Sequence, residues 1–266
     1  MSRVHTTSGR RQVILAWSGG KDSAWTLHVL RQRREVEVVA LLTTVTANDG
    51  RSSMQGVRRE ILRAQAAAAG LPLLEQDIVA GGDNASYDMA MARALQQAAQ
   101  RWPGLNTAAF GDLFLQDIRD YRVQRLAALD WEVMTPLFDA DTPVLARQMI
   151  DGGLRASLCC VDTTQLDAGF AGHAFDHGLL DALPAPVDPC GENGEFHTCV
   201  WAGPMFEAPL ALTRGATMLR DGRFACTDWL PADAPGPGQD RRNTPLIQSR
   251  TCVDVIATPV GASIAG

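Results

Sequence analysis

The sequence predicts an α/β protein, a doubly wound parallel sheet followed by a second, smaller α/β domain. Three observations carry this. Between residues 12 and 138, short apolar runs rich in Val, Leu and Ala alternate with helical stretches, the pattern of parallel strands joined by crossover helices. The first run breaks into Ser18-Gly19-Gly20-Lys21-Asp22-Ser23 and then a helix, which presents backbone N–H groups and a positive helix end to an anion such as phosphate. After Pro136-Leu137-Phe138 the texture changes, and a shorter series of helices and strands leads to a dense polar stretch over 188–198.

Taken in order, 13–17 reads as the first strand, 22–33 as its helix and 36–43 as a buried second strand. A polar loop through Asn48-Asp49-Gly50 leads to an Ala-rich helix over 57–69, stopped by Gly70 and Pro72. A strand over 73–79, a helix over 83–101 closed by Pro103-Gly104, a short strand over 107–110, a helix over 118–129 and a strand over 132–134 complete the series. In such a sheet ligands bind at the carboxyl ends of the strands. That gathers the 18–23 loop, the segment after Leu42 and Gly111-Asp112, with adenine expected against residues 42–44. Asp112 has two readings, a carboxylate orienting Mg²⁺ or an acceptor, or a turn and helix-cap residue.

Beyond residue 138 a helix over 142–151, a strand over 155–161 and a helix over 169–183 are expected. The stretch Asp188-Pro189-Cys190-Gly191-Glu192-Asn193-Gly194-Glu195-Phe196-His197-Thr198 packs two glutamates, an amide, a histidine and a threonine between glycines, which suits a site or a solvated turn entering a strand. Residues 210–219 and 224–230, joined at Asp221-Gly222, read as a β-hairpin. From Pro231 the composition shifts to Ala, Pro, Gly, Asp and Arg, so the domains expected are 1–138, 139–230 and a flexible tail over 231–266 with a weakly strand-like 252–257.

The phosphate loop is identified by spacing. A Walker loop needs Gly five positions before Gly20, where Leu15 stands, and the dinucleotide fingerprint fails because the glycines are adjacent. SGGKDS resembles the PP-loop of the N-type ATP pyrophosphatases, enzymes that cut ATP between its α and β phosphates. In that resemblance Gly19 and Gly20 let the backbone approach pyrophosphate, Ser18 and Ser23 donate hydroxyls, Lys21 carries a point charge, and Asp22 holds Mg²⁺.

Composition bounds the partners. The 266 residues carry a formal charge of −6, with 46% hydrophobic and 20% charged residues, which argues against a broad electrostatic grip on nucleic acid. Residues 1–12 are polar with no apolar h-region, and no apolar run reaches membrane-spanning length, so a cytoplasmic protein is expected. Six cysteines contain no CxxC pair, and reduced thiols are the expectation. His173 and His177 stand four apart on the expected 169–183 helix beside Asp176, a metal-capable spacing that lacks a third ligand.

With both motifs in hand, residues 12–230 resemble the diphthine–ammonia ligase family within the PP-loop (HUP-like, adenine nucleotide alpha hydrolase-like) superfamily, and especially its shorter bacterial members, without the long C-terminal domains of the eukaryotic ligases. The resemblance rests on SGGKDS (18–23), QGVRRE (55–60), Phe110-Gly111-Asp112, Pro136-Leu137 and GENGEFHT (191–198). It implies an AMP-forming amide ligase using ATP and Mg²⁺. An acceptor carboxylate, on a small molecule or a protein, is adenylated with release of pyrophosphate, and ammonia then attacks. Ser18 to Ser23 and Thr43 would hold the nucleotide, and Lys21, Asp22, Glu195 and His197 would carry the chemistry, His197 moving a proton near pH 7. Arg58, Asp112, Glu192, Asn193, Gly194 and Thr198 would bind the acceptor. The acceptor stays open, a cobalamin-salvage intermediate being one alternative, and the sequence sets no oligomeric state. The rival class is a PP-loop RNA-modifying enzyme; thiolation commonly uses a cysteine pair, which Cys159-Cys160 and Cys190/Cys199 keep in view, and lysine attachment uses an RNA-binding extension. A nucleotide sensor without turnover is the third.

Overall fold

A computed structural model describes residues 9–232 apart from 54 and 80; the expected tail, with its 252–257 segment and Cys252, lies outside the described residues. Among the described residues, ten strands form two sheets and six α-helices pack beside them. In the first sheet, β1 (Arg11–Ala16) pairs in parallel with β2 (Val36–Thr46) on one side and β5 (Thr107–Ala109) on the other. β4 (Leu73–Ile78) extends the sheet beyond β2, and β6 (Glu132–Met134) beyond β5, all parallel. The chain therefore builds outward one way from β1, returns, and builds the other way. That reversal places the crevice between the carboxyl ends of β1 and β5.

Alternation along the strands decides which layer each residue enters. Val13 and Leu15 join the cluster that includes α1 (Lys21–Gln32), α2 (Arg59–Ala68) and α5 (Thr142–Asp151). Ile14, Ala40 and Leu42 face the other way, into a smaller cluster with α3 (Asn84–Arg101) and the single buried residue of α4 (Gln116–Ala127), Leu126.

β2 runs three residues past its expected end. Val45 and Thr46 pair with β4 on one edge and with the two-residue β3 (Arg51–Ser52) on the other, where β1 has already stopped. This small antiparallel hairpin, closed by Gly50 at φ +64°, delays α2 to Arg59.

The second sheet is antiparallel, in the order β8 (Phe196–Ala202), β7 (Arg155–Asp162), β10 (Phe224–Pro231), β9 (Leu212–Arg220). The hairpin at Asp221-Gly222 forms as expected, both residues having positive φ. The apolar core does not part at residue 138: one cluster runs from β1 through α1 to β7 and β8, with α1 packed on β8 and α2 on β10.

The helix expected over 169–183 does not form as such. Residues 168–170 make one 3₁₀ turn, and only α6 (His177–Ala182) is α-helical. Between them the Gly172 and Phe175 N–H groups donate to the Leu158 and Ala156 carbonyls, and the Leu158 N–H donates to the His173 carbonyl. Residues 172–175 thus occupy the edge of β7 beyond β10, and pairing with a sheet edge outweighs helical periodicity. His173 and His177 therefore share no helix, and among the described residues no group of three or more His, Cys, Asp or Glu gathers as a metal cluster. Among the described residues no helix is long and apolar enough to cross a membrane.

Candidate functional site

At the end of β1 the Trp17 N–H donates to the Leu42 carbonyl at 2.7 Å, and the chain leaves the sheet at Ser18. Gly19 takes φ +82°, and a Cβ there would stand 2.8 Å from Leu62 Cδ2 and 2.9 Å from Gln65 Oε1, so only glycine fits. Its carbonyl accepts from Gln65 Nε2 and from the Val200 N–H, each at 3.0 Å. Because the peptide is planar and trans, fixing that oxygen also fixes the direction of the Gly20 N–H, which donates to Ser18 Oγ at 3.2 Å. Ser23 Oγ donates to the Gly20 carbonyl and stands 3.1 Å from Ser18 Oγ.

The second motif grips the first. The Lys21 N–H, at the start of α1, donates to Thr198 Oγ1 at 3.0 Å, so the hydroxyl of a β8 residue caps the helix that its own sequence leaves uncapped. Lys21 is 2% exposed; its ammonium donates to Asp22 Oδ2 at 2.9 Å and to the Cys190 carbonyl, under the rings of Phe175 and Phe196. From the other side Gly111 packs against the loop so closely that a Cβ would lie 2.9 Å from the Asp22 carbonyl carbon.

These elements wall a cleft of about 460 Å³, lined among others by Ser18, Gly20 to Ser23, Thr43, Asp112, Glu192, Asn193, Gly194, His197 and Thr198. Most of the residues named from the sequence thus meet there, Gly19, Arg58 and Glu195 excepted. Among the described residues, Asp22 Oδ1, Thr43 Oγ1 and Asp112 Oδ2 are buried oxygens without a hydrogen-bond partner. Unsatisfied buried oxygens of this kind call for a ligand, cation or water. Asp112 gives its other oxygen to Arg122, whose guanidinium lies 4.5 Å from the Phe110 ring.

Glu195 and Arg58 stand elsewhere. Glu195 is 2% exposed and lies beneath the 188–195 turn, where Oε1 accepts from the Asp188 N–H at 2.9 Å and Asn193 Nδ2 at 3.0 Å. It is absent from the lining of the cleft and shapes the loop that carries Glu192. Asp188 continues the scaffold, its Oδ1 accepting from the Cys190 and Glu192 N–H groups. Arg58 is also absent from the lining; it pairs with Asp228 of β10 at 2.6 Å, as does Arg51 at 2.8 Å, and so ties the β3 hairpin to the second sheet.

Electrostatics reassigns the proton-active group. Burial, together with the charge of Lys21, pushes the His197 imidazole down to about 4, so it is neutral at pH 7 and does not titrate there as expected. Burial raises Glu192 to about 7, with the Asp22 carboxylate adding to the shift and the Leu113 N–H opposing it. Burial also raises Asp22 against the pull of Lys21. The Lys21 ammonium loses from burial but gains more from Asp22, Cys190 and Glu192, and its net shift is upward. Burial carries the Cys159 thiol far up and Cys199 to about 12, which makes both poor nucleophiles.

Gln65 is the residue sequence reasoning missed. It is fully buried on α2, accepts from Trp17 Nε1 at 2.9 Å, and donates to the Gly19 and Val200 carbonyls at 3.0 and 2.7 Å. One amide thus joins β1, the phosphate loop and β8. The available signal was a lone glutamine on the apolar face of an Ala-rich helix. A bulge in β7 was equally invisible: Leu158 faces Thr198 and Cys160 faces His197, leaving Cys159 over, with its thiol on the Gln55 carbonyl. That extra residue re-aims the pair of β8 side chains that reach the cleft.

Comparison with known proteins gives two family matches along the chain. Residues 11–126 match the diphthamide synthase N-terminal domain and residues 141–221 the diphthamide synthase C-terminal domain. A diphthine–ammonia ligase of Schizosaccharomyces pombe is 26% identical over 213 residues, covering 74% of this chain and 35% of the relative. The chain spans about a third of the length of that relative.

Proposed function

The chain belongs to the diphthamide synthase family, and from that premise we propose that it is an ATP-dependent, AMP-forming amide ligase that adenylates an acceptor carboxylate and passes it to ammonia. The observation that carries this reading is the direct bonding of the two motifs around one cleft, Lys21 N–H to Thr198 Oγ1 and Lys21 Nζ to the Cys190 carbonyl. The acceptor carboxylate is carried by a small molecule or a protein, and the reaction takes place in the cytoplasm.

A carboxylate resists ammonia at neutral pH because its negative charge repels the nucleophile and oxide is a poor leaving group. Attack of the carboxylate on the ATP α-phosphorus forms an acyl-adenylate and releases pyrophosphate. Ammonia then adds to the acyl carbon and AMP departs. In this reading the phosphate-loop N–H groups and the α1 N-terminus receive the pyrophosphate charge, with Ser18 and Ser23 adding hydroxyls. Two of the three Lys21 N–H groups are held by Asp22 and Cys190, so Lys21 both positions the second motif and keeps one donor for phosphate.

Mg²⁺ fits the residues present. Asp22 Oδ1, with Asp112 Oδ2 on the same cleft, would hold it together with substrate phosphates, the usual ligand set for this ion. When bound it would neutralise charge on the phosphates. Glu192, poised at about 7, takes a proton from ammonium or from the attacking nitrogen, a role the neutral His197 supports as a hydrogen-bond acceptor.

The test is product identity. With a panel of carboxylates and ammonia, the wild-type protein should release AMP and pyrophosphate in equal amounts, and Lys21→Met should abolish this while keeping the fold. ADP and orthophosphate as products would overturn the reading.

A further inference from the structure

Cys160 on β7 and Cys226 on β10 face each other directly in the antiparallel register, with their sulfurs 3.0 Å apart. That approach is closer than two thiols need for van der Waals contact. Directly opposed positions on neighbouring antiparallel strands also bring Cα atoms to about 4.5–5.5 Å, inside the span a disulfide bridges. We propose that Cys160 and Cys226 form a thiol–disulfide exchange site, whose substrate is a low-molecular-weight disulfide of the glutathione type and whose product is a covalent link between β7 and β10.

The two thiols are unequal in the way such chemistry needs. Cys226 is the more exposed. The hydrogen bond shared with Cys160 holds Cys226 below the ordinary thiol value, with Arg220 and Arg51 beside it acting in the same direction. Cys160 is held far above it by that shared bond and by burial. Cys226 is therefore the attacking thiolate and Cys160 the resolving thiol. In the first step Cys226 Sγ attacks one sulfur of RSSR, the S–S bond breaks, and RS⁻ leaves and is protonated. In the second, Cys160 gives up its proton and its sulfur displaces the remaining RS⁻ from Cys226. Two electrons pass from the pair of cysteines to RSSR, which becomes two RSH.

The link would join two strands that each make tertiary contacts outside the second sheet. β7 faces His197 through Cys160 and touches the cleft-lining Gln55 through Cys159, while β10 carries Asp228, the anchor of Arg51 and Arg58. Oxidation joins the strands that hold these two attachments. The buried Cys159, Cys190 and Cys199 have no sulfur placed opposite them in this way among the described residues.

The test equilibrates the folded full chain in glutathione redox buffers, quenches with acid, blocks free thiols with an alkylating agent and maps peptides by mass spectrometry. Under oxidising buffer the thiol titre should fall by two, a peptide pair joining Cys160 to Cys226 should appear, and dithiothreitol should reverse both. Cys160→Ser should trap one glutathione on Cys226, and Cys226→Ser should leave Cys160 unmodified. The wild-type map needs no variant, so misfolding of either serine protein does not affect it. Two results overturn the proposal: both cysteines still free at the oxidising end of the series, or Cys160 glutathionylated in Cys226→Ser as readily as Cys226 is in Cys160→Ser.

Discussion

Replacing Gln65 by Met tests whether one buried amide sets the phosphate loop. Met keeps the length and helix propensity of Gln and removes only the polar end. The Trp17 indole N–H, on a side chain 2% exposed, then loses its acceptor, and the Gly19 and Val200 carbonyls lose a donor. Gly19 keeps the Val200 N–H, so two groups bear most of the loss. At about 1–3 kcal/mol for each of the two stranded buried groups, stability should fall by about 2–6 kcal/mol. With one of its two donors gone, the Gly19–Gly20 peptide can rotate, and the Gly20 N–H loses its fixed aim. ATP and inorganic pyrophosphate should therefore bind about tenfold more weakly or worse, about 1.4 kcal/mol per tenfold, while adenosine, which lacks phosphate, binds as to wild type. Urea unfolding gives the first quantity and calorimetric titration of the three ligands gives the second. Lower stability with unchanged ATP and pyrophosphate affinity would refute the argument, and wild-type protein that fails to bind ATP would refute the nucleotide reading itself.

Four further outcomes are expected. Glu192 is raised from its ordinary 4.5 to about 7, so the folded state binds the extra proton and stability should drain away as pH rises from about 4.5 through about 7; Glu192→Gln should flatten that slope in thermal melts. His197 is lowered from 6.5 to about 4, so its contribution runs the other way, lost as pH falls through that window, and His197→Asn should remove the acid-side loss. Asp228→Asn breaks the half-buried pairs with Arg51 and Arg58 and should cost about 1–3 kcal/mol in urea unfolding, with ATP affinity within twofold of wild type because none of the three lines the cleft. Gly111→Ala places a methyl 2.9–3.0 Å from the Asp22 and Ser23 backbone; it should cost about 1–3 kcal/mol and weaken ATP binding, whereas a neutral result would show that the loop yields freely.

The sequence by itself determined the parallel sheet, because Val13, Ile14 and Leu15 sit in a run too apolar to be anything but a strand buried on both faces, and the glycines that follow leave no room for a continuing ladder. It determined the glycine turn after β1 for the same reason: backbone conformation at Gly19 and charge at Lys21 are local properties, carried by the residues themselves. It also marked 188–198 as a candidate site, since so many polar groups between glycines make poor core. What it did not determine was the job of each polar residue, because a carboxylate's role depends on what surrounds it. Glu192 and Glu195 are three positions apart in one motif, yet the turn sends one into the cleft beside Asp22 and the other beneath the loop onto the Asp188 N–H. Arg58 looked available for an acceptor and is held by Asp228, 170 residues away. His197 has an ordinary imidazole pKa near neutrality until burial and Lys21 force it neutral. Residues 172–175 read as helix by period and became strand-like because β7 offered them an unpaired edge. In each case the deciding term was a long-range contact or the loss of water, and neither is written in the local pattern; only the packing of β8, β10 and α2 around the loop supplies it.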